Sequence, residues 1–456
     1  GNGLVLHHDL KNNIGIVVVD RNTVPISSCD VLLTFAAYPC EVAANVEFLH
    51  PTKNFALVSY RVDALPEVAR GCIKPAVVRN AATTGSTVTH TTHNTPIRRG
   101  DELVIVGLNN HCRPQSRKVS IADAATSAAV PSADIPRFRA VNEETLKLDI
   151  DLGFEYGGVL GDSDGVIKAL WASYATPASD GEVDGVVRGM FIDSAVDAAQ
   201  RVLTWMESKE EKQHEITVLD VEFEVITLSK AANLNVPQTW IDALLKKDPE
   251  RRQALVVAST VAGTNASKIL QDGDVVLQAA GQTCVTFSDV DQAVDAVGEE
   301  KLLPVTVCRG GEIHELSVEL SAVSCVGTDR LIHWAGCIVQ KAHRPVAELG
   351  FTPTVDRDGE EIPYEVFISR WFHGSPAHRY GLYALHWIVE VNDQPTVTID
   401  DFTEVVTRVE NNTFVRIKLV SLQGRPKVLT VKVDHHYWPT WELRKSLKKG
   451  WERVLL

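Results

Sequence analysis

The sequence has no run of eighteen apolar residues, so nothing in it reads as a membrane-spanning helix. It has no Cys-x-x-Cys pair. Its eight cysteines are scattered at 29, 40, 72, 112, 284, 308, 325 and 337, and a chain of this length needs no disulfide staples, so they are expected to be buried free thiols in a reducing compartment. It has no excess of positive charge. Against 59 acidic residues stand 45 Lys and Arg, a net charge of −14, which disfavours a general nucleic-acid binder, since that needs a basic face to displace counterions. There is no initiating Met and no signal peptide. Gly1-Asn2-Gly3 runs straight into apolar residues, which leads us to expect a piece of a longer polypeptide. What is present is the composition of a globular protein, 45% hydrophobic and 23% charged over 456 residues. That length has room for roughly two to four domains.

Up to about residue 190 the chain is a series of short β-type runs broken by turns: 3–6, 14–19, 31–35, 42–49, 55–60, 102–106, 166–171 and 185–191. Regular short strands with little helix predict a barrel or sandwich. Residues 83–99 form a polar insert. At 193–212 the pattern changes. Val196, Ala199, Leu203 and Met206 fall near helical spacing behind Asp193 and Ser194 as a cap, and Lys209-Glu210-Glu211-Lys212 ends the segment. This predicts a helix leading into an interdomain linker. Two stretches then resemble each other. The first has Gly263-Thr264-Asn265-Ala266 and Asp274-Val275-Val276-Leu277; the second has Gly374-Ser375-Pro376-Ala377 and Trp387-Ile388-Val389-Glu390-Val391-Asn392. After each comes an amphipathic helix. Val290, Ala293, Val294 and Val297 follow a Ser288 cap; Phe402, Val405, Val406 and Val409 follow Asp400 and Asp401. A separation of about 110 residues marks a duplicated domain and not a short solenoid repeat.

The stretch 153–174, GFEYGGVLGDSDGVIKALWASY, admits two opposed readings. Gly161-Asp162-Ser163-Asp164-Gly165 looks like a serine nucleophile loop. Its apolar flanks make it a hairpin turn instead, because Asp-Gly between apolar runs suits left-handed backbone. A nucleophile loop would come just before the first flanking strand, where Gly157-Gly158 is preceded by Tyr156.

The GSPA-x-x-x-GL and VN-x-Q segments resemble PDZ domains of the HtrA type. Two in tandem behind a β-rich domain resemble HtrA-family serine proteases. GIVVVDRNTV at 15–24, HPTKNFAL at 50–57 and GDELVIVG at 100–107 fit that family's protease domain in order. The chain is closer still to the C-terminal half of the double-length eukaryotic members, fungal nuclear pro-apoptotic enzymes and their plant chloroplast counterparts, whose second protease domain is degenerate. The resemblance implies a mainly β chain with some α: a trypsin-like double β-barrel over 1–192, a linker helix over 193–214, PDZ domains over 215–323 and 324–434, and a tail over 435–456. It puts Asn22 at the histidine position, Asn54 at the aspartate position and Tyr156 at the serine position. A serine hydroxyl needs a neighbouring base, and the base an orienting group. Asn has no titratable group, and a phenol is bulky and poorly placed for acyl transfer. The resemblance therefore implies a pseudoprotease without cofactor or metal. It also implies a homo-oligomer that works in protein quality control with an N-terminal protease half of the same parent, in the nucleus or alternatively in the chloroplast or cytosol.

PDZ domains add a C-terminal peptide as a strand and hold its carboxylate on backbone N–H groups of a glycine loop. In the second repeat Trp334, Ala335, Gly336 and Cys337 resemble that loop, Ile338 begins the edge strand over 338–341, and Phe402, Val405, Val406 and Val409 face it from the helix. Peptide or unfolded-protein C-termini are thus the expected partners, with no nucleic acid and no membrane. In the first repeat Asp220 replaces the glycine and Glu222 adds charge, so that groove is expected to repel a carboxylate. Of the remaining polar residues, His90 and His93 read as loop and not as half a zinc site. His7, His8, His435 and His436 read as surface pairs, and His50 as structural and not as a displaced base. Tyr437, Trp438, Trp441 and Trp451, with the tail's Arg and Lys, read as an arm packed on the body. An active protease with an atypical site and an assembly module with closed grooves are the rival readings.

Overall fold

The structure, a computed structural model, describes residues 1–78, 97–109, 111–127, 136–152, 157–177, 183–208, 214–357, 359–446 and 450–456. Tyr156, His90, His93, the 209–212 charge run, Lys448 and Lys449 lie outside the described residues. Backbone contacts divide the chain into two units.

The first unit takes the described part of Gly1–Ala133 with Arg139–Ile216 and Val323–Val326. Leu4–Asp9, Ile14–Asp20, Phe55–Tyr60, Glu41–Leu49 and Val31–Thr34 lie side by side, in that order, as a five-stranded antiparallel sheet. Alternate residues of a strand face opposite ways, so Ile16, Val18 and Leu57 enter one core and Val17, Val19 and Val58 another. Glu102–Leu108, Pro114–Ser127, Glu144–Leu148, Gly157–Gly161, Ile167–Pro177 and Val183–Phe191 close into a six-stranded barrel, which leaves no open edge. The mainly β expectation holds.

The helix Asp193–Glu207 is not a free linker. Ala195, Ala198, Ala199 and Val202 are buried against Ile16, Val18 and Leu57 in the first unit's core. Small alanines let it approach closely, and the buried stripe is rotated from the expected one: Val196 and Leu203 sit at its rim and Met206 is exposed. The helix starts after Ile192 with no side-chain cap, and Ser194 Oγ instead accepts from Lys53 Nζ at 2.9 Å.

The second unit, mainly Thr217–Ala322 and Gly327–Leu456, contains one arrangement twice. Val221–Thr227, Gln253–Thr260, Val275–Ala279, Leu302–Arg309 and Glu312–Glu319 stand in that order in the first copy. Cys337–Lys341, Val366–Trp371, His386–Val391, Phe414–Ser421 and Pro426–Lys432 stand in the same order in the second. Between the third and fourth strands each copy inserts a helix, Phe287–Val297 or Ile399–Thr407. Both helices begin with a capping box. Thr286 accepts from the Asp289 amide and Thr398 from the Asp401 amide, and each Asp reaches back to its Thr amide. Those threonines, and not Ser288 or Asp400, are the caps. Apolar faces of Phe287, Val290 and Val294, and of Ile399, Phe402 and Val406, close over their sheets.

The copies differ at one edge. Among the described strands of the first, Val221–Thr227 ends the sheet. In the second, Arg330–Trp334 is added beside Cys337–Lys341, then Trp441–Ser446, then Gly450–Leu455, making a nine-stranded sheet. The tail is thus sheet, with Trp441 and Trp451 half-buried and Tyr437 exposed.

All eight cysteines are free, but only Cys284, Cys308, Cys325 and Cys337 are buried; Cys72 is exposed and the other three are intermediate. Burial pushes the Cys284 thiol up to about 11 and those of Cys325 and Cys337 up to about 12, from an ordinary 9.0. Folding holds these thiols protonated. Their contribution to stability is complete below pH 9 and is lost as pH rises from there through about 12. Maleimide labelling of the folded chain at pH 8, read by mass spectrometry, should therefore modify Cys72 first and leave Cys284, Cys325 and Cys337 untouched until denaturant is added.

Candidate functional site

Two of the three positions assigned by resemblance to a catalytic triad come together on the strand Ile167–Pro177. Asn22 donates from Nδ2 to Ser173 Oγ at 3.1 Å, and Asn54 donates from Nδ2 to the Ser173 carbonyl at 2.7 Å. Tyr156, the third, lies outside the described residues. Asn54 is 2% exposed. Its Oδ1 accepts from the Arg21 amide at 3.1 Å and its own amide donates to the Glu143 carboxylate at 3.2 Å. Tyr174 donates its hydroxyl to the same carboxylate at 3.0 Å, and burial, reinforced by Glu143, pushes that phenol well above its ordinary value. Ser173 donates its hydroxyl to Asp20 Oδ2 and its amide to the same oxygen, both at 3.1 Å, while Asp20 Oδ1 accepts from Thr23. Asp20, Glu143 and Ser173 were not singled out in the sequence, because nothing local marks a Ser or an acid that pairs across 153 positions.

Among the described residues no histidine bonds to Ser173, Asn22 or Asn54. His50 Nδ1 accepts the amides of Thr52 and Lys53, at 3.2 and 3.0 Å, and its ring packs on Phe55. It caps a turn, as expected. His8 is half-buried and tied down: it bonds Tyr60 Oη at 2.7 Å and the Arg70 carbonyl at 2.9 Å.

Ser163 is exposed in the hairpin between Gly157–Gly161 and Ile167–Pro177. Asp162 Oδ1 accepts the amides of Asp164 and Val166, and Gly165 takes φ 81°. The Asp side chain makes this turn, and Ser163 has no base beside it among the described residues. Gly157 and Gly158 are strand residues opposite Leu108 and Gly107; a Cβ on Gly158 would stand 2.1 Å from the Val106 carbonyl. Close strand packing accounts for Gly158, while a Cβ on Gly157 would meet the Asn2 side chain.

In the second repeat the expected peptide residues do come together, but not as an open groove. Trp334, Ala335, Cys337, Phe402 and Val406 are at most 2% exposed, with Val405 and Val409 packed at the rim. Ala335 and Gly336, at φ 50° and 83°, form a two-residue hairpin turn. The strand Cys337–Lys341, with Ile338, is not an edge: Arg330–Trp334 pairs on one side and Val366–Trp371 on the other. A Cβ on Gly336 would lie 2.1 Å from Ser375 Cβ, so any side chain there is excluded by packing before charge is considered.

In the first repeat Asp220 does not face an empty groove. It is 2% exposed and accepts from Arg344 Nη1 at 2.6 Å, while Arg344 Nε reaches Glu348 at 3.0 Å. The two repeats are joined here by a buried charged pair.

Two outcomes follow from these contacts. Asn54→Asp, the change toward the expected triad, keeps the backbone N–H to Glu143 but turns an acceptor toward the Ser173 carbonyl in place of the Nδ2 donor. It should lower unfolding free energy in denaturant titration by about 1–3 kcal/mol. Arg344→Ala leaves the Asp220 carboxylate buried and unpaired and should cost about 3 kcal/mol in the same measurement, with Arg344→Lys recovering part.

No protein-family model matches the chain. It is 36% identical over its whole length to Protease Do-like 7 of Arabidopsis thaliana, covering 41% of that protein. It is 28% identical over 96% of its length to pro-apoptotic serine protease NMA111 of Vanderwaltozyma polyspora, covering 40% of it, and 29% identical over the same share to that of Aspergillus terreus. The chain thus spans about two fifths of the length of the curated relatives it matches. Among solved structures, HtrA-type protease AlgW with decapeptide aligns at TM-score 0.42 and 17% identity, over 71% of this chain and 82% of that one. The chain is thus related over its whole length to Protease Do-like 7 and over nearly all of it to the fungal pro-apoptotic serine proteases, in keeping with the HtrA-like resemblance of its motifs.

Proposed function

We propose that this chain is a non-catalytic part of an HtrA-like protease and serves assembly and the recognition of peptide or unfolded-protein segments. The observation that supports it is the fate of the triad positions. Asn22 and Asn54 are fixed by hydrogen bonds to Ser173, and the serine hydroxyl donates to Asp20, with no imidazole among the described residues to take its proton. A carboxylate accepting directly from a serine is a structural bond; nucleophilic attack needs a base near neutrality. Catalysis in the parent then belongs to residues outside this chain, in a protein quality-control role that the fungal relatives' name links to cell death. The nucleus is the proposed compartment, with chloroplast or cytosol as alternatives.

A second reading, a structural module whose repeats bind no free peptide, is favoured for the second repeat by the paired state of both sides of Cys337–Lys341.

Casein hydrolysis and fluorophosphonate labelling test the first reading. The purified chain should show neither turnover nor a labelled serine. Turnover that disappears in Ser163→Ala or Ser173→Ala would sink it.

A further inference from the structure

We infer that the peptide groove of the second repeat is already filled by a ligand of its own chain, the strand Arg330–Trp334, held in place by the C-terminal hairpin. The inference rests on the second reading above and names the occupant.

PDZ-type recognition adds a peptide antiparallel to the first strand of the fold, sends alternate side chains toward the helix, and brings the peptide's C-terminal residue to the loop. Arg330–Trp334 meets each condition. It runs antiparallel to Cys337–Lys341, pairing Ile332 with Val339 and Trp334 with Cys337. Ile332 and Trp334, two residues apart, are wholly buried in one cluster with Phe402 and Val406 of the helix Ile399–Thr407. Trp334 stands edge-on to Phe402 at 5.7 Å between centroids, in the place of a peptide's terminal side chain. At the other end Arg330 pairs with Asp400, in the first turn of the same helix, at 2.6 Å. Where a free peptide would end in a carboxylate, this strand continues through Ala335 and Gly336, which turn it back in two left-handed residues.

The other side of the strand is also taken. His333 pairs with Trp441, stacks on its ring at 4.9 Å and bonds the Pro439 carbonyl at 2.8 Å. Arg330 reaches Glu442 at 2.5 Å. The tail therefore fastens the ligand strand from outside. Among the described residues, the first repeat's sheet runs from Val221–Thr227 to Glu312–Glu319.

Competition is one-sided. A ligand tethered by so short a turn has an effective concentration of about 1 mM or more. A free peptide of equal intrinsic affinity at about 10 µM would hold only about 1% of the grooves.

The test uses the full chain and a synthetic peptide, Arg-Leu-Ile-His-Trp, with a free carboxylate and a photo-crosslinker at its last residue. With the native chain, no crosslink should form to the helix Ile399–Thr407; crosslinks to Phe402 or Val405 overturn the inference. Ile332→Asp places a charge in the apolar cluster and should expel the strand, raising crosslinking to that helix at least tenfold. A variant that keeps its circular dichroism and gains nothing also overturns it. Hydrogen exchange of the native chain covers the case of a variant that does not fold. The amides of Arg330–Trp334 should exchange as slowly as those of Val366–Trp371, and exchange within seconds would show a strand that is not seated. Serine labelling by fluorophosphonate would contradict the non-catalytic reading while leaving this one standing, and crosslinks to Phe402 would do the reverse.

Discussion

The turn at Ala335 and Gly336 needs two consecutive left-handed residues, and the architecture of the second repeat follows from it. Alanine pays a steric cost there that glycine does not. In return Arg330–Trp334 is laid back along Cys337–Lys341, and Trp334 comes over Phe402. Once that strand is placed, its outer backbone becomes the template for Trp441–Ser446, and that strand for Gly450–Leu455. Ser375, which caps the helix Pro376–Tyr380, sits against Gly336 so closely that no side chain fits between them. One reversal of the chain thus sets the groove, the tail and a helix start together.

In the first unit, two of the positions assigned by resemblance to a catalytic triad are held in a network of hydrogen bonds. Asn54 uses its donor on a carbonyl and its acceptor on an amide. Asp20 holds a turn with one oxygen and Ser173 with the other. Glu143 answers both Asn54 and Tyr174. Buried polar groups of this kind are costly when unmatched and neutral to modestly favourable when matched. Such a network keeps the sheet and the barrel strand in register whether or not a reaction takes place between them.

Much of this was legible in the sequence, and the failures have physical causes. The strands at 14–19, 42–49 and 55–60, the duplication, and the two amphipathic helices could be read because periodicity and turn residues are local signals. The helix caps were misplaced by two residues, since Thr, Ser and Asp all serve as caps and only geometry shows which oxygen reaches an amide. Ala335-Gly336 was misread because a carboxylate-holding loop and a tight hairpin both demand left-handed backbone; which of them forms depends on whether another strand lies alongside. That is a long-range fact, as are the Asp220–Arg344 pair and the meeting of Asn22 with Ser173. Pairings across a hundred or more positions leave no local trace.

The short segment Val323–Val326 belongs with the first unit although the whole first repeat precedes it. Cys325, fully buried, accepts on its carbonyl from the Leu49 amide at 2.6 Å and donates its own amide to the His214 carbonyl at 2.8 Å. The first unit's core therefore has a piece that the ribosome delivers late. At usual rates of synthesis the interval between residues 216 and 326 is on the order of 10 s. During that time the sheet carrying Leu49 waits with one amide unanswered while the first repeat folds. Completion of the N-terminal part is thereby coupled to the arrival of the part that follows it, so a nascent chain stopped within the first repeat would leave an incomplete unit behind.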